Sequence, residues 1–305
     1  MQTVLITGAN GFLGHYLSTL LIDNYKVIAT GKGPCRLPII HSRYQYETMD
    51  FTEVDSIKSV FNRVKPDIVI HAGALSKPDE CELYKEHAYT TNVISTHYLL
   101  SQSKAYQCFF LYLSTDFVFD GKQGMYVETD MPNPVNYYGE TKLLAEKAVQ
   151  SYALNWSIVR TVLVYGYPMS GRDNILTIVA KSLKEGKISR IVDDQVRTPT
   201  YVEDLAKAIK TIIDLKSIGI YHISGNDILT PYQMTLAVAH YLNLNEKLIE
   251  PVNASTFQQP ALRPPKTGFL LTKAERELGY KPISFEEGLK KTFSVNIQDL
   301  KENVF

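Results

Sequence analysis

The 305-residue sequence lacks several features that would assign a protein to a class at once. Lys plus Arg and Asp plus Glu both number 32, so the formal net charge is zero and no basic surface favours a nucleic-acid partner. No apolar run approaches the length of a membrane span, which predicts no membrane partner. The N-terminus leaves no room for a signal peptide before the first glycine motif, so we expect a cytoplasmic protein.

Cysteine is scarce and unpaired in the sequence. Cys35, Cys81 and Cys108 are odd in number and far apart, with no Cys-x-x-Cys pair. This pattern argues against a disulfide framework and predicts reduced cysteines that behave as small hydrophobic residues. The sequence also shows no recognisable acidic cluster, so no metal site is predicted.

Short runs rich in β-branched residues alternate with longer segments of helical period. Each run is apolar on both faces, as expected for a parallel sheet covered by helices. The repeated strand–helix order predicts an α/β fold with a Rossmann-like doubly wound parallel sheet. The predicted strands are TVLIT (3–7), KVIAT (26–30), DIVIHA (67–72), FFLYLST (109–115) and SIVRTVLVYG (157–166).

The strand–helix rhythm loosens after residue 166. We predict that residues 1–166 form a dinucleotide-binding domain to which residues 195–224 return. Residues 167–194 and 225–305 are assigned to a smaller C-terminal substrate-binding lobe over the carboxyl ends of the strands. Ligands bind in that crevice in open parallel sheets.

A glycine-rich loop, TGANGFLG, joins the first predicted strand to the first predicted helix. Three glycines alone are also compatible with a structural turn between strand and helix. Their place at the opening of a βαβ unit favours dinucleotide binding, because glycines let backbone approach a pyrophosphate and the helix N-terminus attracts it. The residues predicted to contact the cofactor here are Gly8, Asn10, Gly11, Phe12, Leu13 and Gly14.

The end of the second strand, KVIATGKGPCR, carries no Asp or Glu that would bind the ribose 2′-OH of NAD. Lys32 and Arg36 lie there instead, and a cation suits a 2′-phosphate, so NADP(H) is favoured and NAD(H) stays open. A solvated loop with incidental charges is the alternative. Asp50 and Phe51 are predicted to flank the adenine, unless they belong to a helix N-cap region.

The stretch NPVNYYGETK contains a tyrosine and a lysine at helical spacing. Pro134 favours a turn and Asn136 is a good cap, so a helix is predicted to begin near Tyr137. Residues four apart lie on one face of a helix, which pairs Tyr138 with Lys142 and turns Tyr137 away. The spacing is common in structural helices, and the glycine loop upstream favours a catalytic reading.

A tyrosine beside a lysine can exchange a proton with a carbonyl oxygen. The ordinary tyrosine pKa is about 10, and a neighbouring ammonium lowers it by favouring the phenolate. A hydroxyl that orients the carbonyl is also expected at the end of a strand. Ser114 and Thr115 follow FFLYL, and alternation sends them to opposite faces, so only one can reach the cleft. Both could instead be ordinary turn formers.

Several motifs together resemble the extended short-chain dehydrogenase/reductase family over essentially the whole chain. They are TGANGFLG, HAGA (71–74), TNV (91–93), LSTDFVFDG, YYGETK and RTPTYVEDLA. Within that family, the stretches STDFVFDG, NPVNYYGETKLLAEKAV and RPPKTG…LGYKPISFEEGL are most similar to the dTDP-4-dehydrorhamnose reductase group. HAGA departs from the more usual run of alanines at its position.

The resemblance implies roles for individual residues. Tyr138 would be the general acid/base, Lys142 would bind the nicotinamide ribose, and Thr115 would bind the keto oxygen of the substrate. Asn92 would complete the proton relay. The resemblance also implies an adenine and ribose wall and a set of substrate contacts, which are Ala72, Gly73 and Ala74, and Asp116, Phe117, Arg197 and Arg263.

The expected function is the NAD(P)H-dependent reduction of a nucleotide-linked 4-keto-6-deoxy sugar, which forms dTDP-L-rhamnose. If the protein assembles, a homodimer is expected. One alternative is a nucleotide-sugar epimerase or dehydratase with tightly held NAD. Phe117 stands where dehydratases carry a glutamate, which argues against dehydration. The other is a regulatory subunit like the methionine adenosyltransferase β-subunit, against which the complete Thr115, Tyr138 and Lys142 set speaks.

Overall fold

The computed structural model describes residues 1–169 and 173–294. The strands are β1 (Thr3–Thr7), β2 (Lys26–Gly31), β3 (Tyr44–Thr48), β4 (Ile68–His71), β5 (Phe109–Thr115), β6 (Trp156–Thr161), β7 (Val164–Tyr165), β8 (Ser189–Val192), β9 (Thr200–Tyr201), β10 (Gly219–Ile223) and β11 (Ile249–Val252).

The helices follow the strands through the described chain. They are α1 (Phe12–Leu21), α2 (Val54–Val64), α3 (Pro78–Leu83), α4 (Lys85–Tyr89), α5 (Ser95–Ala105), α6 (Tyr137–Gln150), α7 (Ile175–Lys184), α8 (Val202–Leu215), α9 (Pro231–Tyr241), α10 (Thr272–Leu278) and α11 (Phe285–Phe293). A π-helical turn, Thr90–Ile94, joins α4 to α5, and short 3₁₀ turns span Asp116–Val118, Glu246–Leu248 and Ala254–Thr256. No helix in the described ranges has both the length and the apolar character needed to cross a bilayer.

Seven strands form one parallel sheet in the order β3-β2-β1-β4-β5-β6-β10. The strand order reverses between β1 and β4, and this reversal opens a crevice at the carboxyl ends of the strands. The Rossmann-like doubly wound sheet predicted from the sequence is therefore confirmed.

Both faces of the sheet are buried. Val4 and Ile6 of β1 belong to one core cluster, which α1, α8 and α10 cover. Leu5, between them, belongs to a second cluster on the opposite face, which α2, α5 and α6 cover. The alternation explains why the strands read as continuous apolar runs, since each fully buried aliphatic side chain contributes about 1.5–3 kcal/mol.

The predicted strand over residues 157–166 is wrong in its second half. The chain leaves the sheet after Thr161 and turns at Leu163, whose φ is 31°, outside the extended region. Val164–Tyr165 then pairs with β9 in a separate two-stranded ladder. Apolar composition alone could not separate one long strand from two short ones.

The remaining elements form a smaller cluster beside the sheet. α7, α9 and α11 pack around Leu176, Met234 and Leu289, with β8 pairing β11. The segment assigned to this lobe does not lie wholly in it, because residues 269–280 contribute Phe269 and Tyr280 to the first core cluster of the sheet. The division of the chain into two units stays a prediction.

Helix α6 begins at Tyr137, as the sequence predicted. Asn136 is its N-cap: the side-chain oxygen accepts from the Gly139 N–H at 2.9 Å, and the side-chain amide donates to the Leu262 carbonyl at 2.6 Å. A Cβ on Gly139 would lie 2.0 Å from the Phe117 carbonyl oxygen, so only glycine lets this first turn rest on the chain after β5.

We expect Asn136→Ala to loosen the first turn of α6. Loss of the cap costs about 1–2 kcal/mol, which corresponds to about 5- to 30-fold faster amide hydrogen exchange in that turn. Thr230→Ala is the matched control, because Thr230 caps α9 by accepting from the Gln233 N–H at 3.1 Å. It should speed exchange in α9 alone. Unchanged exchange in α6 of Asn136→Ala would contradict the prediction.

Candidate active site

A cleft of about 1050 Å³ opens over the carboxyl ends of the strands. The glycine loop, the ends of β4 and β5 and the first turns of α6 form one wall, and residues of the smaller cluster form the other. The predicted residues that line it are Gly8, Asn10, Gly11, Phe12, Leu13, Phe51, Ala72, Gly73, Ala74, Thr115, Asp116, Phe117, Tyr138, Lys142, Arg197 and Arg263. Gly14, Lys32, Asp50 and Asn92 lie outside this lining.

The glycine loop has the shape that a pyrophosphate requires. Gly8 has a φ of 71°, and a Cβ there would lie 2.7 Å from the Gly73 Cα. A Cβ on Gly14 would lie 2.5 Å from the Ala9 Cα, so α1 can start directly on the loop. Gly11 occupies the N-cap of α1 and provides no side-chain cap. The first N–H groups of the helix are therefore available to an anion in the cleft.

A chain of buried hydrogen bonds fixes the loop after β4. The backbone carbonyl oxygen of Asn92 can only accept, so Thr96 Oγ1 donates its one hydrogen to it at 2.8 Å. Thr96 Oγ1 therefore accepts from His71 Nε2 at 3.2 Å. His71 Nδ1 then accepts from Thr7 Oγ1 at 2.7 Å, and Thr7 accepts from the Gly73 N–H at 3.2 Å. Burial lowers the pKa of His71 to about 3, so the imidazole is neutral. His71, the first residue of HAGA, therefore holds the loop after β4 against β1.

Asn92 is occupied by contacts within the protein. Its Oδ1 accepts from the Leu75 N–H at 2.8 Å, and its Nδ2 donates to the Leu75 carbonyl at 3.1 Å and to Thr141 Oγ1 at 3.0 Å. It lies in the π-helical turn and ties the loop after β4 to α6. Its part in a proton relay stays a prediction.

Phe51 and Asp50 have different surroundings. Phe51 lies against Gly73, where an added Cβ would be 2.6 Å from the phenyl ring, so the ring and the glycine form one flat wall. Asp50 does not line the cleft: it accepts from Thr52 Oγ1 at 2.6 Å and pairs with Lys32 at 2.8 Å. These contacts support a role for Asp50 in the turn before α2.

Of the two cations after β2, Arg36 is the one that lines the cleft. The Lys32 side chain is 81% exposed and paired with Asp50, whereas Arg36 lines the cleft. The Arg36 N–H donates to Asn10 Oδ1 at 2.9 Å, so the glycine loop itself fixes the segment that presents this arginine. The sequence places two cations, Lys32 and Arg36, in this segment, but no local pattern indicates which of them lines the cleft.

Lys142 is buried where the sequence placed it. Its side chain is 3% exposed, and Nζ donates to the Leu113 carbonyl at 2.8 Å and lies 4.1 Å from the centre of the Tyr112 ring. Burial lowers the pKa of Lys142 to about 7, against the opposing charge of Glu146. The ammonium therefore titrates in the range in which proton transfer at neutral pH operates.

The two adjacent tyrosines face different surroundings, as helical geometry predicted. Tyr138 is half-buried in the cleft, with its ring edge-on to Phe117 at 5.8 Å. Tyr137 lies under the exposed ammonium of Lys85, 5.1 Å from its ring centre. Tyr138 alone shares a helix face with Lys142.

The hydroxyls of Ser114 and Thr115 also separate. Ser114 Oγ donates to Glu146 Oε1 at 2.5 Å in a fully buried contact. Thr115 Oγ1 donates to Asp116 Oδ1 at 3.0 Å and accepts from the Phe117 N–H at 3.2 Å. Both residues line the cleft, so the expectation that only one would reach it is wrong. Each hydroxyl donates to a neighbouring carboxylate, and the role of Thr115 toward a ligand stays a prediction.

Asp116 and Arg197 are both 3% exposed. Burial raises the pKa of Asp116 and lowers the pKa of Arg197, and each charge opposes the shift of the other. Arg197 donates to the Val196 carbonyl at 2.7 Å and to Gln195 Oε1 at 3.0 Å, and within the described ranges no carboxylate forms an ion pair with it. A buried guanidinium that lines a cleft in this way suits an anionic ligand.

Arg263 differs because its charge is already paired. Nη1 and Nη2 donate to the two carboxylate oxygens of Asp79 at 2.6 and 2.7 Å. The bridge holds the segment before α10 onto α3 at the mouth of the cleft. In the described part of the chain, no group of three or more His, Cys, Asp or Glu side chains is arranged to hold a metal.

We expect Lys142→Met to change the pH dependence of stability. From pH 7 to 10.5 the unfolded chain holds the lysine proton and the folded chain does not, so the contribution of Lys142 to stability rises with pH. Relative to Lys142→Met, that rise approaches about 1.4 kcal/mol per pH unit, measured by urea denaturation. Lys147→Met, at an exposed site of the same helix, should give a flat difference. A flat difference for Lys142→Met would contradict the prediction.

Comparisons with known proteins agree with this architecture. The family model described as RmlD substrate binding domain matches residues 1–297. The chain is 30% identical over 304 residues to the dTDP-4-dehydrorhamnose reductase of Aggregatibacter actinomycetemcomitans, covering 95% of this chain and 98% of that relative. It is 32% identical over 258 residues to the methionine adenosyltransferase 2 subunit beta of Xenopus tropicalis, covering 82% of this chain and 75% of that relative.

A solved structure gives the same result. The dTDP-4-dehydrorhamnose reductase of Bacillus anthracis, in complex with NADP, matches with a TM-score of 0.83 and 28% identity, covering 96% of this chain and 99% of that one. The family match, the long alignments and the motifs read from the sequence coincide. The chain belongs to the RmlD family, within the extended short-chain dehydrogenases/reductases.

Proposed function

We propose that this protein reduces the 4-keto group of dTDP-4-dehydro-6-deoxy-L-mannose with NADPH and so forms dTDP-L-rhamnose. The observation that carries the proposal is the convergence of Tyr138, Lys142 and Thr115 in the cleft that the glycine loop opens. The relatives that share nearly the full length of the chain include a dTDP-4-dehydrorhamnose reductase, which supports this substrate.

The cleft fits a nicotinamide dinucleotide. Gly8 and Gly73 form a cradle that a Cβ would fill, and the uncapped start of α1 offers N–H groups to the pyrophosphate. Phe51 would pack on the adenine, and Arg36 would pair with a 2′-phosphate. When bound, NADPH supplies the hydride that reduces the keto carbon.

The protein supplies the proton and the orientation. Tyr138 donates its phenolic proton to the keto oxygen, and the nearby Lys142 ammonium stabilises the phenolate that remains. Thr115 Oγ1 donates its hydrogen to Asp116 Oδ1. To bind the keto oxygen, the hydroxyl rotates so that this hydrogen points into the cleft. A dTDP-sugar carries two phosphates, and the buried Arg197 is the side chain that suits them.

Arg263 is a second contact for the phosphates, but its position differs from that of Arg197. The bidentate bridge to Asp79 neutralises it at the cleft mouth, so phosphate binding there competes with Asp79. Arg197 therefore provides the deeper anchor and Arg263 an edge contact.

A homodimer and a cytoplasmic location also remain predictions for this protein.

Tyr138→Phe should lower kcat by about 10²- to 10⁴-fold, because it removes the proton donor and keeps the ring. Tyr137→Phe is the matched control and should retain activity, since Tyr137 lies under Lys85 outside the cleft. Turnover is followed as loss of nicotinamide absorbance with dTDP-4-dehydro-6-deoxy-L-mannose.

The same assay separates the rival functions. Absence of turnover by the wild-type protein with both NADPH and NADH would contradict the proposed reaction. Co-purification of a partner enzyme would then favour a regulatory subunit. Stoichiometric NAD retained through purification would favour an epimerase. Equal turnover by wild type and Tyr138→Phe would contradict the role of Tyr138 as proton donor but not the proposed reaction.

Arg36→Ala should raise KM for NADPH by about 10- to 100-fold and leave KM for NADH nearly unchanged, because a charged hydrogen bond to the 2′-phosphate is lost. Lys32→Ala is the matched control and should have a smaller effect, since Lys32 already pairs with Asp50. A larger effect from Lys32→Ala would assign the 2′-phosphate to that residue.

A further inference from the structure

A buried polar chain runs beneath the candidate active site and joins α6 to the sheet. Glu146 of α6 is fully buried, and its Oε1 accepts from Ser114 Oγ at 2.5 Å and from Arg160 Nε at 2.9 Å. Its Oε2 accepts from Arg160 Nη2 at 2.7 Å. One carboxylate therefore binds near the carboxyl ends of both β5 and β6.

The chain continues to the edge of the sheet. His222 of β10 donates from Nδ1 to the Tyr126 carbonyl at 3.1 Å, which leaves Nε2 to accept from Arg160 Nη1 at 3.3 Å. Burial lowers the pKa of His222 well below its usual value, so the imidazole is neutral. The Glu146–Arg160 pair is thus held at both ends by groups that carry no charge.

Glu146 shares a helix face with the residues of the proposed mechanism. Tyr138, Lys142 and Glu146 follow one another at intervals of four, so they lie on one stripe of α6. Ser114, which Glu146 binds, directly precedes Thr115. The same carboxylate therefore fixes the helix that carries the tyrosine and lysine and the strand end that carries the threonine.

Stability alone is a weak reason to bury this ion pair. The cost of desolvating two charges offsets most of their attraction, and apolar replacements are often neutral or stabilising. What the pair supplies is a fixed geometry, because a bidentate Arg–carboxylate contact tolerates little sliding of α6 along β5 and β6.

We infer that Glu146 is a positioning residue for the proposed reaction: it sets α6 against Thr115 and places a carboxylate on the helix face that carries Lys142. The inference rests on the proposed function for its catalytic consequence only. Its two parts, the position of α6 and the charge of Lys142, are tested separately by different variants.

The charge part depends on the groups that face Lys142. These are Tyr138 and Glu146 on its own helix, Cys81 of α3, His71 of β4 and Tyr112 of β5. Burial raises the pKa of Cys81 to about 11 and lowers that of His71 to about 3, so neither offers Lys142 a charge at neutral pH. Among these groups the Glu146 carboxylate is the anion, and the charge of Arg160 behind it weakens its effect.

The charge part is tested on protein labelled with ¹³C-lysine, with the Lys142 signal assigned by its loss in Lys142→Arg. Glu146→Gln combined with Arg160→Met removes both charges together and leaves no unpaired buried ion. Lys142 should then lose its proton at a lower pH than in the wild-type protein. An unchanged Lys142 titration overturns this part, whether or not the protein turns over any sugar.

The position part is tested by Ser114→Ala, which changes no charge. We expect kcat to fall by about 3- to 10-fold with little change in KM for NADPH, and no movement of the pH profile. Ser157→Ala is the matched control: Ser157 is a buried serine of β6 whose hydroxyl donates to the Ser217 carbonyl, away from the cleft. Equal kcat for Ser114→Ala and wild type overturns the positioning role.

The outcomes distinguish this inference from the proposed function. Glu146→Asp keeps the charge and shortens the side chain, so it should retain the Lys142 titration and lower kcat. If the wild-type protein has no keto-sugar reductase activity, the reaction is wrong, and the lysine titration still decides the effect of Glu146 on Lys142. If the double variant does not fold, Glu146→Asp and Ser114→Ala decide the positioning role.

Discussion

The close contact between the first turn of α6 and the chain after β5 is the constraint on which the site depends. Gly139 has no Cβ, so the helix rests on the Phe117 carbonyl, and Asn136 caps it while binding the Leu262 carbonyl. The contact places Tyr138 and Lys142 beside the strand end that carries Thr115. A side chain at residue 139 would displace the helix and with it the whole constellation.

Local patterns were sufficient wherever neighbours in sequence decide the structure. Helical spacing separated Tyr138 from Tyr137, and the cap at Asn136 gave the start of α6. Contacts between distant segments carried no such signal. The position of Arg36 in the cleft lining depends on its backbone hydrogen bond to Asn10, 26 residues away, and the break at Leu163 depends on pairing with β9.

Two arginines that the sequence treated alike have different environments in the folded chain. Arg197 is buried with backbone carbonyls and the Gln195 side chain as its partners, whereas Arg263 is neutralised by Asp79, 184 residues away. Such a difference arises only in the fold, because it depends on which carboxylate the tertiary structure brings near. It gives the proposed diphosphate site a strong inner contact and a weaker outer one.

The one-way hydrogen-bond chain through His71 has a consequence for how the cleft responds to its surroundings. The imidazole binds a proton only near pH 3, so the loop that faces the cofactor keeps its shape across the neutral range. Lys142, whose charge also lowers the pKa of His71, changes charge near pH 7. The His71 side of the cleft therefore keeps one hydrogen-bonding pattern at neutral pH, whereas the Lys142 side gains or loses a charge there.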